Sequence, residues 1–343
     1  MQATRIAIDA MGGDFAPEEI VKGSLQFARR NPGVTVILFG EKGPLDDAVA
    51  RQKGAGLGNI KLVPCGPSVG MGEHPVDALR KKTDSSVVCA VDSVMKGDAD
   101  AFVSAGNTGV CVAATQLRWR LIPGISRAAI ALAFPSETGV TLALDLGANV
   151  SCKAEHLLDY GIMGSVYSEH IIGITKPKVA LLNVGEEESK GTKLISEARD
   201  LLANSGLNFI GFVEGNHILT GKADVVVCEG FVGNVILKTA EGVTDFLLKM
   251  IKKNVKRSPI YSLGALLSTG AFRNVREKID YSSFGGAQLL GVNGVCVISH
   301  GRSKSPAMYN ALRVADEVVR KRVNENIKAK IGSVRKAAVS TKE

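Results

Sequence analysis

The stretch Ala101-Phe102-Val103-Ser104-Ala105-Gly106-Asn107-Thr108-Gly109-Val110-Cys111-Val112-Ala113-Ala114 decides the fold. A short apolar run ends in a small polar loop with two glycines, and a run of small residues follows. This pattern reads as strand, tight turn and helix. It recurs along the chain. Strand-like runs stand at Arg5–Asp9, Val34–Phe39, Ile60–Val63, Ile130–Phe134, Val140–Asp145, Lys178–Val184, Phe209–Phe212, Ala223–Cys228 and Gly294–Ser299. Helical stretches follow most of them, at Ala16–Arg30, Pro75–Met95, Thr108–Leu117, Ala154–Ile172, Lys190–Asn204 and Asn234–Lys256. Alternation of this kind predicts an α/β fold with a largely parallel sheet covered by helices. Near-continuous apolar strands such as Ala223–Cys228 fit a sheet buried on both faces.

No repeat of 20–50 residues and no Pro/Ser-rich linker divides the chain. One catalytic α/β domain over residues 1–335 is expected, with a projecting helical, apolar tip at about 246–280 and a flexible tail at 336–343. The six cysteines form no CxxC pair, and the N-terminus lacks the charged-then-apolar layout of a leader. A reduced, cytoplasmic protein without a structural metal is therefore expected.

Of the 343 residues 38 are glycine, and most fall where strands end. The loops are Asp9–Asp14 (with Gly12 and Gly13), Ser104–Gly109, Asp145–Asn149, Asn183–Glu186 and Glu229–Asn234. Ligands of open α/β sheets bind outside the carboxyl ends of strands, and glycine there lets backbone approach a ligand. Backbone N–H groups at the start of a helix after Gly106, with Ser104, Asn107, Thr108 and Gly109, suit an anion such as phosphate. Asn107 or Thr108 suits a helix N-cap equally well. Lys190 and Lys193 offer charge to a phosphate, and His300 closes the last strand. Cys152 lies near Asn149 with nothing to mark it as an activated nucleophile. P-loop, dinucleotide, zincin and nucleophile-elbow motifs are absent.

The chain carries 42 Lys+Arg against 34 Asp+Glu, a net charge of +8. Residues 249–278 hold eight Lys/Arg and one Glu, and residues 320–343 eight and two, so the remainder, with its glycine loops, is net acidic. No basic strand interleaved with aromatics suggests nucleic acid. The segment Phe246–Arg257 places Phe246, Leu247, Met250, Ile251 and Val255 on one helical face, with Lys249, Lys252, Lys253 and Lys256 largely opposite and Arg257 next in chain. That face reads as core-facing or as a dimer seam. The apolar stretch after it, with Ile260, Leu263, Leu266 and Leu267, reads as a contact for lipid or a partner protein.

In order, the loops resemble the bacterial phosphate acyltransferases of phospholipid synthesis, the PlsX family. The carrying residues are Ile8–Pro17, Ser104–Gly109, Leu144–Asn149 with Cys152, Leu181–Glu186 with Lys190-Gly191, Gly211–Gly215, Gly230–Asn234, and Tyr281 through Gly285-Gly286-Ala287 to His300-Gly301. Three departures stand at Arg127-Ala128-Ala129, Cys152-Lys153-Ala154 and Gln288, where the family usually has Arg-Pro-Ala, Cys-x-Pro and Pro or Ala. The resemblance implies a three-layer α/β/α sandwich around a mostly parallel mixed sheet, like the isocitrate/isopropylmalate dehydrogenase and phosphotransacetylase group. It implies transfer of a long-chain acyl group from acyl carrier protein to inorganic phosphate, feeding a membrane acyltransferase. It also implies a homodimer at or near the inner face of the membrane, without cofactor or metal. An acyl-CoA phosphotransacetylase and a non-catalytic carrier-protein scaffold are the alternatives. Within this reading Ser104, Gly106, Asn107, Thr108 and Gly109 hold phosphate, and Lys190 or Lys193 balances its charge. Asn149, Asn183 or Asn234 donates to the oxyanion, and His300 to the thiolate or phosphate. Asp9, Gly12, Gly13, Asp14 and Glu229 shape the substrate loops.

Overall fold

A computed structural model describes residues 3–54, 56–279 and 285–340, the backbone alone at 276–279 and 337–340. The chain first builds β1 (Arg5–Asp9), α1 (Glu18–Arg30), β2 (Thr35–Gly40), α2 (Lys42–Arg51), β3 (Ile60–Pro64), α3 (Pro75–Lys81), α4 (Ser86–Met95), β4 (Ala101–Ser104) and α5 (Thr108–Trp119). It then crosses to β5 (Ala129–Ser136), β6 (Gly139–Leu144), α6 (Ala154–Tyr167), β7 (Val179–Leu182), α7 (Lys193–Ala203), β8 (Phe209–Val213), α8 (His217–Thr220), β9 (Val225–Val227) and α9 (Gly230–Val255). After α10 (Pro259–Leu267) and α11 (Thr269–Ile279) it returns through β10 (Ala287–Leu290) and β11 (Val295–Ile298) to α12 (Ser305–Arg320) and α13 (Val323–Ser340).

The eleven strands form one sheet in the order β3-β2-β1-β4-β11-β10-β5-β6-β9-β7-β8. β1, β2, β3, β4 and β11 run parallel to one another. β10 is antiparallel to both β11 and β5, and β5 is antiparallel to β6. β6, β9, β7 and β8 are again mutually parallel. The two parallel halves therefore point in opposite directions, and the sheet has two carboxyl edges. Asp9 and Ser104 end strands at one edge; Leu144, Leu182 and Val227 end strands at the other.

Two apolar layers cover the sheet. On one face α1, α2, α6, α7, α12 and α13 bury residues such as Leu25, Leu45, Tyr160, Leu202 and Leu312. On the other α3, α4, α5 and α8 bury Ala78, Val88, Ala114 and Ile218 against Phe102, Ile130 and Leu132. The expected α/β/α sandwich is present. The crossing between the halves is narrow. Leu121 bridges Val292, Ile122 N–H donates to Gly291 O (2.9 Å), and Asn293 N–H donates to Arg120 O (3.0 Å).

Two local departures from the sequence pattern have physical causes. The continuous helix expected over Pro75–Met95 breaks at Lys82–Ser85. The Asp84 carbonyl accepts from Gly66 N–H at 2.8 Å, and Ser85 is extended, which starts a new helix. β10 is only four residues long, with a polar Gln288 inside it, so it lacks the apolar run that marks a strand.

Beyond its first turns α9 leaves the body of the molecule. Phe246, Leu247, Met250 and Ile251 are exposed, which overturns the core-facing reading of this helix. In α10 Leu267 is 81% and Ile260 77% exposed, with Leu263 and Leu266 between them also open. Among the described residues no helix is long and apolar enough to cross a membrane. α13 continues to Ser340, past the expected start of the tail. Tyr281 and residues 341–343 lie outside the described residues.

Candidate active site

A cleft of about 550 Å³ lies on one face of the sheet where the two halves meet. Its floor is Ile130 and Leu132 of β5, Ala287 of β10, Ile298 of β11 and Leu146. The floor residues of β5 are two apart because alternate residues of a strand share a face. Helix stripes form the walls. α5 contributes Thr108, Gly109, Val112, Ala113 and Gln116, and α9 contributes Asn234, Leu237, Lys238 and Glu241, both at the three-and-four spacing of one helix face.

At one end of the cleft, by the first carboxyl edge, Thr108 and Gly109 open α5 beside Ser299 and His300. The Glu241 carboxylate stands 3.9 Å from His300 Nε2 and 2.8 Å from Lys238 Nζ. His300 Nδ1 accepts from Arg302 N–H at 3.1 Å. At the other end Gly147, Ala148, Asn149, Asn234 and Arg127 close the cleft. Gly147 has φ +121° and faces Asn234, whose side chain an added Cβ would meet at 3.3 Å. The positive φ favours glycine there, and an added Cβ would also crowd Asn234.

Buried aspartates organise both edges. The Asp9 carboxylate accepts from Ser86 Oγ (2.6 Å), Ser104 Oγ (2.8 Å) and Met11 N–H (3.2 Å). Gly12 packs on the same carboxylate and on Gly106, leaving no room for a side chain. The Asp145 carboxylate accepts from the N–H groups of Ile130 (2.9 Å), Gly147 (3.2 Å), Ala148 (3.0 Å) and Asn149 (2.9 Å), and from Asn149 Nδ2 (2.9 Å). Burial pushes both carboxyls above the usual range, against these hydrogen bonds.

The residues singled out in the sequence separate accordingly. Thr108, Gly109, Asn149, Asn234 and His300 line the cleft. Ser104 is fully buried; it donates to Asp9 and accepts from Gly106 N–H (2.9 Å). Asn107 caps α5 through Val110 N–H and donates to the carbonyls of Met71 (2.9 Å) and Glu73 (3.0 Å). Gly106 is buried beneath the loop and Gly13 packs on Gly301 O. Asp14 is exposed, its N–H donating to Gly301 O at 2.8 Å. Glu229 is the N-cap residue of α9. Asn183, Lys190 and Lys193 lie outside the cleft. Asn183 donates to Lys190 O (3.1 Å), while Lys190 pairs with Glu187 (2.8 Å) and Lys193 with Glu197 (3.6 Å). They share the second carboxyl edge with Asn149, two strand spacings away, about 10 Å.

Lys238, Glu241 and Gln116 were not singled out in the sequence, and Arg127 only as the start of a departure from the family pattern. The signal for Lys238 and Glu241 was their register with Asn234 on one helix face. Cys152 is not an activated thiol. Burial raises its pKa, and its Sγ lies 3.7 Å from the hydroxyl of the buried Tyr160.

An apolar trough with cationic and amide groups at both ends suits a substrate with a long apolar part and a compact anion. The fold around it is that of the phosphotransacetylases. The chain is similar to a phosphotransacetylase from Streptococcus pyogenes (TM-score 0.63, 17% identity, 92% of this chain and 94% of that one). It is likewise similar to the EutD phosphotransacetylase from Staphylococcus aureus (TM-score 0.58, 16% identity, the same coverage). The sequence narrows the class. The family described as "Fatty acid synthesis protein" matches residues 4–326. The phosphate acyltransferase of Pelotomaculum thermopropionicum is 45% identical over 330 residues, 96% of each chain. That of Desulfitobacterium hafniense (strain DSM 10664 / DCB-2) is 47% identical over 328 residues, 95% of this chain and 97% of the relative. The chain belongs to this PlsX family of phosphate acyltransferases and is an acyl-transferring enzyme of fatty acid and phospholipid synthesis.

Proposed function

We propose that the enzyme forms acyl phosphate from a long-chain acyl thioester of acyl carrier protein and inorganic phosphate, in the cleft between α5 and α9, and so feeds phosphatidic acid synthesis. The observation that supports this reading is the apolar floor of Ile130, Leu132, Leu146, Ala287 and Ile298 between two ends that carry Arg127, Lys238 and His300. The acyl chain lies on the floor and the reacting carbonyl at a cationic end.

A phosphate oxygen attacks the thioester carbonyl carbon. The tetrahedral oxyanion collapses, the C–S bond breaks, and the thiolate leaves and takes a proton from water. A thiol has a pKa of about 8.5 and leaves without a strong general acid. Phosphate is largely deprotonated at neutral pH and needs orientation rather than a base. Positioning and oxyanion stabilisation then supply most of the barrier reduction. Thr108, the first N–H groups of α5 and Asn234 are the available donors. The Asn149 amide is committed to Ala128 O (2.7 Å), Asp145 and Tyr160 Oη (3.0 Å), so it shapes the cleft.

The enzyme acts as a cytoplasmic homodimer that docks its acidic carrier through Lys249, Lys252, Lys253, Lys256 and Arg257. The apolar side of α10 rests on the inner face of the membrane. Charge complementarity favours the carrier, and an exposed apolar patch needs a partner surface.

The test is to incubate enzyme, phosphate and long-chain acyl carrier protein and to trap acyl phosphate with hydroxylamine, with acyl-CoA in a parallel arm. Acyl hydroxamate from the carrier arm is expected. Product from acyl-CoA alone would replace this reading with a phosphotransacetylase-like one. No product in either arm, with carrier still bound, would leave a scaffold.

A further inference from the structure

The carboxylate of Asp145 is fully buried, and among the described residues five N–H groups hold it. Its Oδ1 gathers Ile130, Gly147 and Ala148, and its Oδ2 gathers both N–H donors of Asn149. Every one of these residues lines the cleft. α9, which forms the opposite wall, starts against the same residue. A Cβ on Gly230 would stand 2.7 Å from Asp145 Oδ2, and one on Gly233 would strike the Asp145 carbonyl. Cys228 Sγ donates to that carbonyl at 3.3 Å. Asp145 thus joins floor, end loop and wall.

We propose that Asp145 is a positioning residue for the acyl transfer, setting the loop 146–149 and the start of α9 at the cleft end. It touches no substrate and acts through Asn149, Ala148 and Asn234. The proposal rests on the cleft being the site of transfer.

Its logic can be inverted atom by atom. Asp145→Asn keeps an acceptor for Ile130, Gly147 and Ala148 but turns an NH2 group toward the Asn149 donors. Asn149→Asp, at a half-exposed position, sets a carboxylate against Asp145 and Ala128 O. Each single variant moves the loop. Together the two restore a side-chain donor facing a side-chain acceptor, although the residue-149 N–H and Ala128 O lose their partners. A misplacement of about 1 Å costs on the order of 10²-fold in rate.

The experiment measures kcat and KM for acyl phosphate formation per folded molecule, together with thermal unfolding, for both single variants and the double variant. Each single variant is expected to lose about 10²-fold in kcat. The double variant is expected to regain part of that loss, a clear non-additivity. A purely structural role would lower the melting temperature and leave kcat per folded molecule unchanged, which overturns the proposal. Additive losses in the double variant would also overturn it. Should Asp145→Asn not fold, Asn149→Asp alone decides through its kcat. A third variant, Ala113→Trp, fills the cleft from α5 and tests the underlying reading. If it turns over like the unaltered enzyme, the cleft is not the site, whatever Asp145 does.

Discussion

The Lys238 ammonium lies 2.8 Å from the Glu241 carboxylate, one helical turn further along the wall of the cleft. Lys238 is therefore already paired, and a phosphate held at this end on the proposed reading must compete with a carboxylate for it. Glu241→Gln is expected to lower the KM for phosphate two- to fivefold, because an exposed pair contributes only about 0.2–1 kcal/mol. Lys238→Ala is expected to raise it. Steady-state kinetics at fixed acyl donor check both signs. A KM raised by Glu241→Gln would mean that the carboxylate serves phosphate binding.

Arg127 stands at the opposite end, exposed and directed at the cleft beside Asn149. Losing a charge-assisted contact to phosphate costs about 1.5–3 kcal/mol, so Arg127→Ala should lose roughly 10- to 100-fold in kcat/KM. Arg127→Lys should recover only part of this, since an ammonium lacks the planar fork. Comparing the phosphate KM of the Arg127 and Lys238 variants identifies which end holds the anion.

Two glycines separate packing from helix propensity. Gly233→Ala forces a methyl into the Asp145 carbonyl and should destabilise the fold by about 1–3 kcal/mol. Gly332 sits inside α13 with nothing within 4 Å of an added Cβ. Gly332→Ala should stabilise by about 0.8–1 kcal/mol. Denaturant unfolding gives both values, and the opposite signs are the test.

Glu19 ties α1 to α12. Its carboxylate accepts from Ser305 N–H at 2.7 Å, and that bond holds it below the usual carboxylate range. A depressed folded pKa contributes stability above the unfolded value and loses it as pH falls through the folded one. Glu19→Gln should therefore cost about 0.5–1 kcal/mol at pH 7, discounted for exposure, and nothing once the carboxylate is protonated. Urea midpoints at pH 7 and below pH 4 read the difference.

Leu263 is 58% exposed on α10, so Leu263→Glu should leave stability within about 0.5 kcal/mol. Flotation with anionic vesicles is expected to fall sharply in this variant. Unchanged flotation would exclude lipid contact through α10.

The alternation of strands and helices was legible because β-branched runs and glycine turns are local signals. Every strand was visible except β10, whose four residues include Gln288. The Asp9, Ser104, Asp145 and Glu229 loops were also legible as strand ends. Their division between two edges was not. The second half is reversed by the β5–β6 hairpin, while the two antiparallel pairings of β10 cancel, and the short β10 that joins the halves carries no strand signal of its own. Nor does any local pattern show that Ser104 and Asn107, read as phosphate ligands, also bond Asp9, Met71 and Glu73. Arg127, Lys238 and Glu241 are isolated charges in sequence; only the packing of α9 opposite α5 gives them a shared space.

The chain leaves the first half at Leu121 and returns at Val292, and those two residues pair. Everything between them enters and leaves through one doorway. The flanking segments are rejoined across a gap of one strand spacing, so a short linker would reseal it. Excision would remove β5, β10 and α9 together, and with them most of the floor and one wall of the cleft. The cleft therefore belongs to neither segment alone and exists only where the two meet.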